Sequence, residues 1–301
     1  MQKFISTFLL AIFAITSAHA QLLYRVSGNG LKKESYIVGT YHLADGSYVD
    51  SIPGARAALS NVEQVYGELS MADTFNPDSV AMLQSKMILP DNQTLKDVLT
   101  PEQFERLDAY YEQLVGLRLS NPMIYGQVAR LSPKAIQTSL QVTYIIAKKK
   151  AAFNPQNAID SYFQTVALQA GKQVGGLESV YFQANVLFSD PIERQVQQLM
   201  CSIDNCDYYE STTDRLTEAY YSQNLDEIMA VMDEKMENDC DATPEEEAAL
   251  IDNRNHNWLQ LMPAIMADHP TLFAVGAGHL PGNEGLIHLL REAGYTVEGV
   301  K

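Results

Sequence analysis

The chain has 301 residues, 46% of them hydrophobic, and carries 37 Asp and Glu against 21 Lys and Arg, a formal net charge of −16. So acidic a surface repels nucleic acid and anionic membranes, which excludes both as expected partners. The apolar share is ample for a buried core.

The first 20 residues read as an export signal. Lys3 gives a short positive start, Phe4 to Thr16 an apolar run, and Ala18-His19-Ala20 a small-x-small cleavage site. That run is too short to span a bilayer, and no later segment approaches 18 apolar residues, so no integral membrane segment is expected. Gln21, not a cysteine, follows the cut, so no lipid anchor is expected. The mature chain, residues 21–301, is expected to be one exported domain, periplasmic or extracellular.

Strands are predicted at Leu22 to Ser27 and Ser35 to Tyr41, facing each other across the turn signal Gly28-Asn29-Gly30. Further strands are predicted at Gln64 to Leu69, Val174 to Leu177, Thr271 to Val275 and Tyr295 to Val300. Helices fill roughly 75 to 265 between them. Thr100-Pro101-Glu102-Gln103 is a capping box with proline at the first helical position; Phe104, Leu107, Tyr111 and Leu114 follow on one face and Gly116 closes the element. Thr243-Pro244-Glu245-Glu246 opens another helix in the same way, and Ser132-Pro133 and Asn154-Pro155 mark two more entries. The last strands, with a helix over Glu284 to Ala293 capped by Asn283, read as a right-handed βαβ unit with parallel strands. The fold class is therefore α/β, bordering on α+β: a central mixed sheet built from both chain ends beneath a large helical layer.

Chemistry is expected at two G-x-x-H segments. Gly39-Thr40-Tyr41-His42 and Gly276-Ala277-Gly278-His279 each follow an apolar strand, where glycine lets the chain leave at unusual φ/ψ and histidine projects from the carboxyl end. The third such match, ending at His288, lies in an apolar helical run and is read as chance. Glu68 ends the strand Val65 to Leu69 in an apolar stretch, so it needs a partner, a proton or a cation. On the helix opened by Thr243, the stripe Ile251, Arg254, Asn255, Trp258 and Met262 carries a guanidinium and an amide. Arg254 is expected to pair with a buried carboxylate such as Glu68 or Glu178, or with a substrate anion. Asp160 and Glu178 are supporting residues. Cys201, Cys206 and Cys240 contain no Cys-x-x-Cys and have acidic and aromatic flanks, so an activated thiolate is not expected. One pair is expected to close a disulfide, and spacing does not choose which. No nucleophile elbow, phosphate loop, dinucleotide fingerprint or His-Glu-x-x-His is present.

These segments resemble the TraB/GumN family, related to the Tiki metalloproteases and to pheromone-shutdown proteins. The resemblance rests on Val38-Gly39-Thr40-Tyr41-His42, Tyr66-Gly67-Glu68-Leu69, Asp160 with Gly171-Lys172, Leu177-Glu178, Arg254-Asn255 and Val275-Gly276-Ala277-Gly278-His279-Leu280 with Gly285-Leu286. It implies a fold similar to erythromycin esterase and ChaN-like proteins and a site holding His42, Glu68 and His279, with Arg254 and Asn255 in support. In the Tiki branch the implied activity is metal-dependent peptide cleavage, with manganese or cobalt as the implied ion; zinc or iron also suit such ligands. The expected function is an exported metal-dependent hydrolase, acting on a peptide or small molecule through His42, His279 and Glu68. In that scheme Arg254, or amides at the helix after Asn283, would stabilise an oxyanion. The alternatives are a metal-free His/Glu hydrolase and a non-catalytic protein that sequesters a peptide or small ligand.

Overall fold

The computed structural model describes residues 21–149 and 157–301. The export signal and the helix entry at Asn154-Pro155 lie outside them. Six strands form one sheet: β1 (Leu23–Gly28), β2 (Ser35–Thr40), β3 (Gln64–Gly67), β4 (Gln173–Gly176), β5 (Thr271–Gly276) and β6 (Tyr295–Gly299), in the order β4-β3-β5-β2-β1-β6. β4, β3, β5 and β2 run parallel, and β1 is antiparallel to both β2 and β6, so the sheet is mixed. Both chain ends meet in it, as the α/β reading expects. β2 is buried at every position and β5 at all but the last, as strands covered on both faces should be. β6 alternates buried and exposed residues, because one of its faces meets solvent.

Two details of the C-terminal unit differ from expectation. β5 and β6 do point the same way, but β2 and β1 lie between them in the sheet. The intervening helix spans Leu286–Glu292 and its N-cap is Gly285, not Asn283, with no side-chain cap. A third difference lies upstream. The helix opened by the Thr243 capping box is only Pro244–Leu250, and Ile251, at φ −121° and ψ −68°, breaks it from the helix Asp252–Asp268. Arg254 and Asn255 therefore sit in the first turn of a separate helix, whose buried stripe continues through Trp258, Met262 and Met266.

Leu22, Val26, Ile37, Val38, Val65, Phe273 and Val275 form the main core with helices laid on the sheet. A second cluster joins Leu107, Ile136, Leu140 and Leu199 across the helices Pro101–Val115, Pro133–Lys149 and Ile192–Asp204. Each such fully buried leucine contributes roughly 1.5–3 kcal/mol. The Thr100 capping box forms, and Gly116 ends its helix at φ 78°, the left-handed cap a Cβ would strain. Among the described residues no helix is long and apolar enough to cross a membrane.

Cys201 and Cys240 form the disulfide, and Cys206 is free and half-buried. The bridge closes a 39-residue separation that includes the helices leading to the site. In the chain-entropy account a loop of that length is worth about 4 kcal/mol. The double variant Cys201→Ala/Cys240→Ala is expected to lose roughly 2–4 kcal/mol in urea unfolding. An unchanged midpoint with unchanged slope would show that the bridge carries no stability.

Candidate functional site

Four parallel strands end at one edge of the sheet, and each is followed by a polar side chain. His42 comes after β2, Glu68 after β3, Glu178 after β4 and His279 after β5. The parallel register sets Gly67 opposite Ala274 and Gly176, and Thr40 opposite Gly276, so the strand ends are level. This is the edge where open α/β sheets receive ligands. The helix Asp252–Asp268 adds Arg254 and Asn255, and the helix Ile159–Gln169 adds Asp160 in its first turn.

Neither G-x-x-H glycine has the unusual φ expected of it: Gly39 and Gly276 are both absent from the positive-φ residues, Gly276 having φ −51°. Close approach is the reason for glycine instead. A Cβ on Gly39 would lie 3.1 Å from Ala277, and one on Gly276 would lie 3.2 Å from Glu68 Oε1. The Gly276 N–H donates to that same oxygen at 2.8 Å. His279 then falls in a single 3₁₀ turn, Ala277–His279, and is buried.

Arg254 is the centre of the cluster. Its Nε and Nη2 donate to Glu178 Oε2 and Oε1 at 3.1 and 2.8 Å, a bidentate pair. Nη2 also donates to Glu68 Oε2 at 2.6 Å, and Nη1 donates to the Leu250 carbonyl at 3.1 Å and to His279 Nε2 at 3.0 Å. A guanidinium has five N–H donors, and these five bonds use them all. The expected pairing with a carboxylate thus falls on both Glu68 and Glu178, but no donor remains for a substrate oxyanion. The helix after Asn283 is no substitute, because it lines neither cavity at the site. Every Arg254 donor is engaged by the protein itself.

Bonding fixes the state of His279. Nε2 accepts from Arg254, so Nδ1 carries the proton and donates to Asn255 Oδ1 at 2.8 Å. Asn255 Nδ2 in turn donates to the carbonyls of His279 and Glu284, at 3.3 and 2.7 Å. The ring lies 4.5 Å from that of Trp258, whose Nε1 donates to Glu178 Oε2 at 3.1 Å. Burial, with the Arg254 cation beside it, outweighs the pull of Glu68 and pushes the His279 pKa down to about 3. His42 is the opposite case. Its Nδ1 is 3.1 Å from Asp160 Oδ2, and Thr40 donates to Asp160 Oδ1. The Asp160 carboxylate, by charge and by hydrogen bond, raises the His42 pKa to about 9. Burial alone would raise the Glu68 pKa, but Arg254, protonated His42 and the Gly276 N–H together hold it below the usual range. In the metal-free protein, NMR of the two rings should show His279 neutral from pH 8 down to 5 and His42 protonated until about pH 9. Two rings titrating together near 6.5 would contradict this geometry.

Gln183 escaped the sequence reading. It lies on the helix Val180–Phe188, and its Nε2 donates to Glu68 Oε2 and Glu178 Oε1, both at 3.0 Å. No motif marks it; only its spacing of five residues beyond Glu178 was visible. Thr40 lay inside a quoted motif, but its bond to Asp160 depends on a contact 120 residues away.

The expected metal ligands were His42, His279 and Glu68. Asp160 holds His42 Nδ1, which leaves Nε2 for a cation, the arrangement in which a carboxylate orients a ligating imidazole. Glu68 Oε1 keeps a lone pair beyond the Gly276 N–H. By their free lone pairs these two atoms remain available to a cation. His279 does not fit as arranged, because Arg254 and Asn255 engage both of its ring nitrogens. Among the described residues, no group of three or more His, Cys, Asp and Glu side chains gathers closely enough to hold a metal.

The model of the TraB/PrgY/gumN family matches residues 22–299. Among curated proteins, the chain is 27% identical to metalloprotease TIKI1 of Danio rerio, over 88% of this chain and 60% of that protein. It is 26% identical to metalloprotease TIKI1 of Homo sapiens, over 88% of this chain and 59% of the relative. A metalloprotease TIKI homolog of Nematostella vectensis is 24% identical, over 89% of this chain and 65% of the relative. The chain thus spans about three fifths of the length of these relatives. No solved structure matches it.

Proposed function

The chain belongs to the TraB/PrgY/gumN family, and from that premise we propose that it is a metal-dependent hydrolase that cleaves peptide bonds. The observation that carries this reading is the placement of His42 and Glu68 at the level ends of parallel strands, on the shared floor of two cavities. That the relatives are named metalloproteases supports the peptide as substrate and a metal as cofactor. His42 Nε2 and Glu68 Oε1 are the atoms that would hold the cation, with manganese or cobalt ahead of zinc or iron. When bound it would polarise the carbonyl and lower the pKa of a water.

The protein's own groups set the rest. Asp160 and Thr40 orient the His42 ring, and Arg254, Gln183 and the Gly276 N–H fix both oxygens of Glu68. Asn255 and Arg254 hold His279 neutral beneath them, so in this reading it is a positioning residue and not a ligand. Water adds to the carbonyl carbon, the C–N bond breaks, and the water's proton leaves on the amine nitrogen. Export of a mature chain beginning at Gln21 belongs to the same reading, and the Cys201–Cys240 disulfide supports an oxidising compartment, periplasmic or extracellular.

A second reading draws on one observation, the engagement of both His279 nitrogens. Without a metal, Glu68 would take a proton from the attacking water while protonated His42 gives one to the leaving amine. Metal content by mass spectrometry, with peptide cleavage measured in strong chelator, decides between the two. Near-stoichiometric metal that is lost in His42→Ala, with activity lost on chelation, is expected. Activity that persists without metal selects the second reading. A peptide that binds but is recovered intact, with metal present, would sink both in favour of a sequestering protein.

A further inference from the structure

Two cavities open on either side of the residues just assigned. One, of about 600 Å³, is walled by Leu69, Met71, Phe75, Ala158 and Ala274. The other, of about 290 Å³, is walled by Leu187, Leu216, Ile228, Met232, Leu250 and Ile251. They share His42, Glu68 and Gln183 and no other lining residue. The reacting groups therefore stand at the waist of a two-lobed cleft. Both volumes fall near the range of small-molecule pockets, so each has room for at least one large side chain.

The rims are apolar as well. Phe75 stands 69% exposed beside the larger lobe, and Met232 and Leu250 are 37% and 42% exposed beside the smaller. Each of them lines its lobe while staying open to solvent, so each is placed to meet a substrate side chain. Met232 reaches the loop that carries His279: a Cβ on Gly278 would lie 2.8 Å from its sulfur. The ionised groups on the floor do not invite an acidic side chain. Glu68 and Asp160 are carboxylates that would repel one, the positive charge of His42 is already paired with Asp160, and Arg254 has no N–H left to receive it.

We infer that the substrate is a peptide with a large apolar side chain on each side of the bond that breaks, one in each lobe, with Phe75 and Met232 as residues that determine specificity. This rests on the hydrolase reading above. The two lobes differ about twofold in volume, so the flanks differ in size preference: the larger lobe takes aromatic side chains and the smaller takes Leu, Met or Val.

The inference is tested by cleavage-site profiling of a mixture of random synthetic peptides, read by mass spectrometry, with the metal-supplemented mature protein. Wild type is expected to cut between two large apolar residues and to disfavour Asp or Glu on either flank by at least tenfold. Phe75→Glu and Met232→Glu each change an exposed side chain, and thermal melts confirm that both variants fold. Each is expected to lower kcat/KM at least tenfold for apolar residues on one flank and to favour Lys there, on opposite flanks for the two variants. Cleavage with no flank preference, or both variants acting on the same flank, overturns the two-lobe assignment and leaves hydrolysis standing. No cleavage of any peptide by wild type, with metal bound, overturns the hydrolase reading itself and this inference with it.

Discussion

Arg254→Met is expected to cost the fold about 3–5 kcal/mol, the loss seen when one partner of a buried ion pair is removed. Glu68 and Glu178, whose side chains are 10% and 4% exposed, would be left beside one another without a cation. Glu178 is almost wholly shut off from water and Glu68 meets it only through the cleft, so one carboxyl is expected to take a proton. That gives a signed pH test. In wild type the folded Glu68 pKa lies below the unfolded value, so its contribution is present above that value and is lost as pH falls through the folded pKa. In Arg254→Met the carboxyl pKa is raised, the native state binds the extra proton, and stability falls as pH rises from 5 to 8. Urea unfolding at the two pH values reads the slope. Adding Glu178→Gln to Arg254→Met removes one of the two competing charges and should restore part of the loss. Arg254→Lys should restore less than the charge alone suggests, because an ammonium makes three bonds where the guanidinium makes five. A loss below about 1 kcal/mol in Arg254→Met would mean that the cluster is not a desolvated network of buried charges.

The second large effect is on turnover. His42→Ala and Glu68→Gln are each expected to lower kcat for peptide cleavage by about 10²–10⁴, the range for a positioned acid, base or ligand. Glu68→Gln nearly keeps the shape of the side chain, so its KM should move little while kcat falls. Asp160→Asn keeps a hydrogen-bonding group beside His42 but loses the carboxylate charge, and is expected to cost roughly 10–100-fold. A merely structural Asp160 would lower Tm and leave the pH profile in place. Its role as orienter of His42 predicts instead that the His42 titration moves down from about 9 in the metal-free protein. Full activity in His42→Ala would move the chemistry away from the strand ends altogether.

Sequence alone was enough for the frame. Most of the strands carry continuous or alternating apolar runs with a glycine at or next to their end, and all six form within a residue or two of the expected bounds. Thr100 with Gln103, and Thr243 with Glu246, announce their helices because a capping box is a local contact across three residues. The family was likewise legible, since short motifs in a fixed order identify it. The end of the Thr243 helix was not: nothing in Leu250-Ile251-Asp252 is a local breaker, yet the chain bends there and the next helix buries Arg254 and Asn255.

What the tertiary structure alone decided is which atom faces which. His42 and His279 share one motif, yet one is held protonated by Asp160 and the other neutral by Arg254 and Asn255. The motif sets their place at a strand end. Their charge is set by neighbours 118 and 25 residues away in sequence, which only folding brings within hydrogen-bond reach. Electrostatics inside a protein depends on distance and desolvation, and neither is written in local sequence. The same holds for Arg254: its residue type promised a carboxylate partner, and only packing showed that all five of its donors are spent.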